Sequence, residues 1–142
     1  MRRCTIVLIL LYSIANAQEK PVSLYDRVGR YDAISQIVDS YLKGIRSDPQ
    51  FSRFSGRGAD SLSRAKQLLK DQLCALTGGP CTYIGRDMKT AHSGLGITSD
   101  EWAVNMKYMA AALDNAKIGG KEKTEFLAII DSLKPAIVDR PK

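Results

Sequence analysis

The apolar stripe between Tyr31 and Arg46 constrains the fold more than any other stretch of the chain. Ile34, Ile37, Val38, Tyr41, Leu42 and Ile45 recur at spacings of three and four, which lines one face of an α-helix and not of a strand. The same period returns in Leu62, Ala65, Leu69, Leu73 and Leu76, then in Trp102, Met106, Met109 and Leu113, and last in Phe126, Ile129, Ile130, Leu133 and Ile137. Helix punctuation separates these stripes. Ser23 to Val28 reads as a short helical turn stopped by Gly29, and Asp48-Pro49 is an N-cap acceptor followed by proline at the first helical position. Gly78-Gly79-Pro80 ends the helix over Ser61 to Thr77, because glycine accepts a left-handed cap and proline cannot continue. Thr98-Ser99-Asp100-Glu101 has the form of a capping box, and Gly119-Gly120 breaks the chain before the final stripe, whose end Pro135 is expected to kink. No alternation of period two appears, so the expected fold class is all-α.

The first seventeen residues stand apart. Arg2 and Arg3 precede a mostly apolar run from Thr5 to Ala15, and Ala15-Asn16-Ala17 has the small-x-small form of a signal peptidase site. The pattern predicts a signal peptide over 1–17, cleaved before Gln18, a single domain over 18–142, and export to the periplasm or beyond. The apolar run is shorter than the roughly 20 residues a spanning helix needs, so no stable membrane insertion is expected after cleavage. Removing two arginines lowers the formal charge from +6 to +4. The remaining basic residues are interspersed with acidic ones, which reads as a solvated surface and not as a nucleic-acid footprint. Cleavage also removes Cys4 and leaves Cys74 and Cys81, an even pair in an exported chain. A disulfide across Gly78-Gly79-Pro80 and two free thiols both remain open on this reading.

The chain has one histidine, His92, in the stretch Gly85-Arg86-Asp87-Met88-Lys89-Thr90-Ala91-His92-Ser93-Gly94-Leu95-Gly96. A lone histidine is ordinarily a satisfied core or surface residue. It cannot build a multi-ligand zinc site, but a neutral imidazole can be the single protein ligand of a haem iron, the porphyrin supplying the in-plane donors. No nucleotide-binding glycine motif, zinc spacing or Ser/His/Asp set is present.

Four segments in order set this histidine in context: Ser23-Leu24-Tyr25-Asp26-Arg27-Val28-Gly29, Asp48-Pro49-Gln50-Phe51-Ser52-Arg53-Phe54, Thr77-Gly78-Gly79-Pro80, and Tyr83 to Lys89 running into Ala91-His92-Ser93-Gly94-Leu95-Gly96-Ile97-Thr98. Over about residues 23 to 139 the chain resembles the group I truncated haemoglobins, which fold as a two-over-two helical sandwich around haem. The resemblance implies one haem per chain with His92 as its proximal ligand. It also implies haem contacts from Phe54, Tyr83, Met88, Ile97 and Trp102, and distal-helix contacts from Ala65, Leu69, Gln72 and Leu73. Gln67 is the polar alternative if that helix slips in register, and Arg86 and Lys89 are candidate propionate partners. The family often has a distal tyrosine on its first long helix. Counted without gaps from Tyr25-Asp26, that position is Leu42, and the tyrosine stands one residue earlier at Tyr41. One residue turns a side chain by about 100° on a helix, so this count predicts a more apolar distal pocket and weak oxygen binding.

The function this implies is reversible binding of oxygen, nitric oxide or carbon monoxide, as in oxygen transport, storage or sensing. Nitric oxide dioxygenase or peroxidase-like chemistry at the same haem is an alternative, and would need an external electron donor. A third reading, from another class, is a haem-free exported helical domain that binds a partner, with His92 incidental.

Overall fold

The computed structural model describes residues 21–55 and 61–139, and the expected leader over 1–17 lies outside these. The described residues form seven α-helices and one 3₁₀ turn, with no strand. In order they are α1 (Leu24–Val28), α2 (Arg30–Ser47), the 3₁₀ turn (Pro49–Phe54), α3 (Leu62–Leu76), α4 (Met88–His92), α5 (Ser99–Asn115), α6 (Gly120–Asp131) and α7 (Lys134–Ile137). Helix α2 is the hub. It packs against both α3 and α5, α6 lies on α5, α1 joins α2 to α6, and α4 rests on α7. The stripes explain the arrangement: Ile34, Ile37 and Val38 of α2 meet Leu73 and Cys74 of α3, Leu113 of α5 and Phe126 of α6 in one core, all essentially without exposure. Full burial of each large apolar side chain is worth about 1.5–3 kcal/mol. Two ion pairs, from Arg27 to Glu122 and to Glu125, fasten α1 to α6.

The caps follow the sequence closely. Ser23 Oγ accepts from the Asp26 amide, Asp48 Oδ1 from the Gln50 amide, and Thr98 and Glu101 form the reciprocal capping box. The α1–α2 corner turns through two successive left-handed residues, Gly29 at φ 106° and Arg30 at φ 63°. Arg30 holds a conformation that L side chains disfavour by roughly 1–2 kcal/mol, and its guanidinium reaches back to Asp26 at 2.9 Å. The final apolar stripe is divided between two helices. Helix α6 stops at Asp131, and Pro135 lies in the first turn of α7, where its missing N–H costs no helical bond.

Helices α3 and α5 end in the same Schellman geometry with different residues at its left-handed position. After α3, the Gly79 amide donates to the Cys74 carbonyl and that of Gly78 to Ala75, with Gly78 at φ 85°. After α5, Ile118 donates to Leu113 and Lys117 to Asp114, with Lys117 at φ 62°. Glycine suits this position because it has no Cβ to crowd the following carbonyl. Lys117→Gly is therefore expected to stabilise the fold by about 1 kcal/mol, visible as a higher urea midpoint at unchanged slope.

Cys74 and Cys81 are joined in a disulfide with Cα atoms 5.7 Å apart, so of the two open readings the bridged one holds. The bond ties the end of α3 to the loop that leads to α4. No helix among the described residues is long and apolar enough to cross a membrane.

Candidate functional site

Helix α4 is short and its start is fixed locally. Asp87 Oδ1 accepts from the Thr90 amide at 2.9 Å and Oδ2 from the Thr90 hydroxyl at 2.6 Å, bonds that hold the Asp87 carboxyl below its usual range. One turn later His92 Nδ1 lies 2.8 Å from the Met88 carbonyl oxygen. A carbonyl can only accept, so Nδ1 carries the proton, and in the neutral ring the lone pair is on Nε2.

His92 lines a cavity of about 400 Å³ whose walls are mostly apolar. The 3₁₀ turn contributes Phe54 and Phe51, and α3 contributes Ala65, Leu68, Leu69, Gln72 and Leu73. Ala65 is itself exposed, which places it at the mouth. Tyr83 and Met88 come from the loop and α4, Ile97 from the segment just before α5, and Trp102 from the first turn of α5. Several of these side chains are held by hydrogen bonds. Tyr83 donates its hydroxyl to the Arg86 carbonyl at 2.7 Å, and the Trp102 indole N–H donates to Asp131 at 2.8 Å. Gln72 Nε2 lies 3.1 Å from the Met88 sulfur and so connects α3 to α4.

On α2 the outcome differs from the ungapped count. Tyr41 and Ile45 line the cavity, whereas Leu42 packs on the hydrophobic core outside the lining. Tyr41 and Ile45 are four residues apart and share a face; Leu42 shares the face of the fully buried Val38. The packing of α2 on α3 and α5 sets its rotation, which counting along the chain does not register. The wall is consequently more polar than expected, since it holds Tyr41 and Asn105 beside the expected Gln72. Gln67 points elsewhere and bonds to Tyr31 and Asp71. Arg86 belongs to the lining and Lys89 does not.

Two residues that sequence reasoning missed organise this site. Arg53 stacks over the Phe54 ring at 4.0 Å, donates to the Leu95 carbonyl at 2.6 Å, and meets both Glu101 carboxylate oxygens at 2.6 and 2.7 Å. It thus clamps the 3₁₀ turn to the segment after His92 and to the first turn of α5. Its signal was its place between Phe51 and Phe54. Asn105 accepts from the Tyr41 hydroxyl at 2.5 Å; its position three residues after Trp102 and four before Met109 puts it on the inward face of α5.

Glu101 has only 8% of its surface exposed. Desolvation raises its pKa, but the Thr98 amide and the Arg53 guanidinium outweigh this and hold it below its ordinary value of 4.5. A carboxyl with a lowered folded-state pKa stabilises the fold above its unfolded pKa, and that contribution fades as the pH falls through the folded value. Glu101→Gln is expected to cost about 1.5–3 kcal/mol at neutral pH, the range for hydrogen bonds to a charged group. Urea unfolding at a series of pH values should show the difference from the parent chain shrinking below pH 4.5.

An all-helical fold around an apolar cavity, with a single imidazole of fixed tautomer in its wall, defines a globin-type haem protein. The model of the bacterial-like globin family matches residues 23–139, and the chain belongs to that family. It is 31% identical over 118 residues to the group 1 truncated hemoglobin GlbN of Mycolicibacterium paratuberculosis, covering 83% of this chain and 85% of that one. It is 29% identical over 122 residues to the group 1 GlbN of a Nostoc species, covering 83% and 98%. The ferric truncated hemoglobin of Tetrahymena pyriformis superimposes with a TM-score of 0.77 at 20% identity, covering 84% of this chain and all of that one. At that identity the likeness shows the shared fold. The group's cofactor is haem, and the donor set here fits it: one neutral nitrogen for the iron, apolar walls for the macrocycle, and Arg86 in the lining for a carboxylate edge.

Proposed function

We propose that the chain binds one haem through Nε2 of His92 and takes up diatomic gases, oxygen, nitric oxide and carbon monoxide among them, reversibly. The observation that carries this reading is the His92–Met88 hydrogen bond inside an apolar cavity. It fixes the ring's orientation and its tautomer and leaves the lone pair on Nε2, the role an outer-shell carbonyl plays for a metal-bound imidazole. Haem, when bound, would supply an iron able to take up a small gas molecule. The protein's part is to hold and to shield. Phe54, Leu69, Leu73, Ile97 and Trp102 would shield the bound group from water, Met88 and Tyr83 would close the loop side, and Arg86 would offer a cation to a carboxylate.

The amides of Gln72 and Asn105 in the wall favour a second reading, nitric oxide dioxygenase or peroxidase-like turnover, because polar groups in such a cavity can stabilise developing charge. Such turnover requires an external electron donor. We further propose that the chain is exported and matured before Gln18, a reading supported by the Cys74–Cys81 disulfide, since such bonds persist in oxidising compartments.

Absorption spectra of the hemin-loaded chain in ferric, ferrous and carbon monoxide-treated forms test the central reading. A Soret band that shifts on reduction and again with carbon monoxide is expected. Failure to take up hemin would overturn it. Cell fractionation, with the mass of the recovered chain, tests export.

A further inference from the structure

The cavity wall carries a phenol whose proton is already committed. Tyr41 stands on α2 and Asn105 on α5, and the hydroxyl lies 2.5 Å from Asn105 Oδ1. A tyrosine hydroxyl has one hydrogen, and an amide oxygen has none, so Tyr41 is the donor. Burial pushes the Tyr41 phenol up to about 12, so the proton stays on it across the physiological range. What Tyr41 can still present to the cavity is oxygen lone pairs.

We propose that Asn105 is a positioning residue that determines ligand specificity: by accepting the Tyr41 proton it withholds that proton from a gas entering the cavity. The inference rests on the gas-binding reading above. A free hydrogen-bond donor in the wall would retain oxygen, the stronger acceptor of the two gases, far more than it would retain carbon monoxide. Committing the phenol to Asn105 therefore keeps oxygen release fast while leaving carbon monoxide binding almost unaffected. An amide turned the other way would do the reverse: Nδ2 would donate to the phenol oxygen and leave the hydroxyl proton free for a ligand.

The two arrangements separate in a double-mutant cycle on the haem-loaded protein. The readouts are the oxygen dissociation rate and the infrared C–O stretch of the ferrous carbon monoxide complex, which falls when a donor approaches the ligand. Tyr41→Phe, which removes the phenol, gives the reference values against which the cycle is read. Asn105→Leu, and Asn105→Ala as a variant without added bulk, should free the hydroxyl. Oxygen dissociation then slows about fivefold or more, the effect of one added hydrogen bond, and the C–O stretch falls. Adding Tyr41→Phe to either variant should reverse both changes. The proposal is overturned if Tyr41→Phe alone speeds oxygen loss and raises the stretch, or if both Asn105 variants leave the two readouts unmoved. A parent chain that forms no carbon monoxide complex would overturn the gas-binding function itself, and this inference with it.

Discussion

His92→Ala leaves a folded chain that no longer retains haem. The imidazole is the only histidine nitrogen the sequence offers to iron, and the apolar wall that remains has no second donor of that kind. Loss of an outer-shell partner alone typically costs 10–100-fold in metal affinity, so loss of the ligand itself should speed haem release by more than about 100-fold. The fold should survive, because His92 ends a five-residue helix and lies only partly buried, outside the core of α2, α3, α5 and α6. Far-ultraviolet circular dichroism should thus be unchanged while haem passes rapidly to an acceptor globin. Free imidazole at millimolar concentration should restore part of the spectrum by filling the space the side chain vacated. Haem retention close to that of the parent chain would remove His92 from the ligand role.

The second large effect concerns the bridge between Cys74 and Cys81. The seven-residue separation closes a short loop, for which the chain-entropy relation gives about 2.5 kcal/mol of stabilisation. Cys81→Ser, or reduction of the parent chain, should therefore lower the melting temperature by roughly 5–15 °C. Cys81→Ser is preferred to a change at Cys74, which has no exposed surface and would bring a cavity cost of its own. Reductant should destabilise the parent chain and leave the variant unaffected, which isolates the bond from the substitution. Leu73 adjoins one half-cystine and Tyr83 follows the other by two residues, and both line the cavity. Haem release should accordingly quicken on reduction, measured as transfer to an acceptor. Equal melting temperatures with and without reductant would show that the bridge contributes nothing.

The helices were legible because their signals are local. The stripe from Ile34 to Ile45, the Thr98/Glu101 box and the Gly78 cap each depend on residues within a few positions of one another, and each reappears in the structure where the pattern puts it. The start of α4 carried a comparable signal, Asp87 three residues before Thr90, although the stretch from Thr82 to Lys89 otherwise reads as extended loop. What sequence could not supply was the rotation of α2 about its own axis. Tyr41 and Leu42 both fit an apolar stripe, and only packing against α3 and α5 decides which of them faces the cavity. The partners of Arg53 and Asn105 were hidden for a related reason. Each joins segments more than forty residues apart, and no spacing rule reaches that far. The chain's final stripe shows a third limit: period alone continues through Ser132 and Leu133, while the backbone ends one helix and begins another.

Trp102 is the only tryptophan of the chain, it lies in the cavity wall, and Asp131 holds its indole in one orientation. A porphyrin seated against that ring would drain its excited state by energy transfer, so the empty chain would glow and the loaded one would be dark. The protein thus carries a built-in occupancy gauge. Emission on excitation of this one side chain would report the fraction of molecules holding their pigment, without a label and without a change to the sequence.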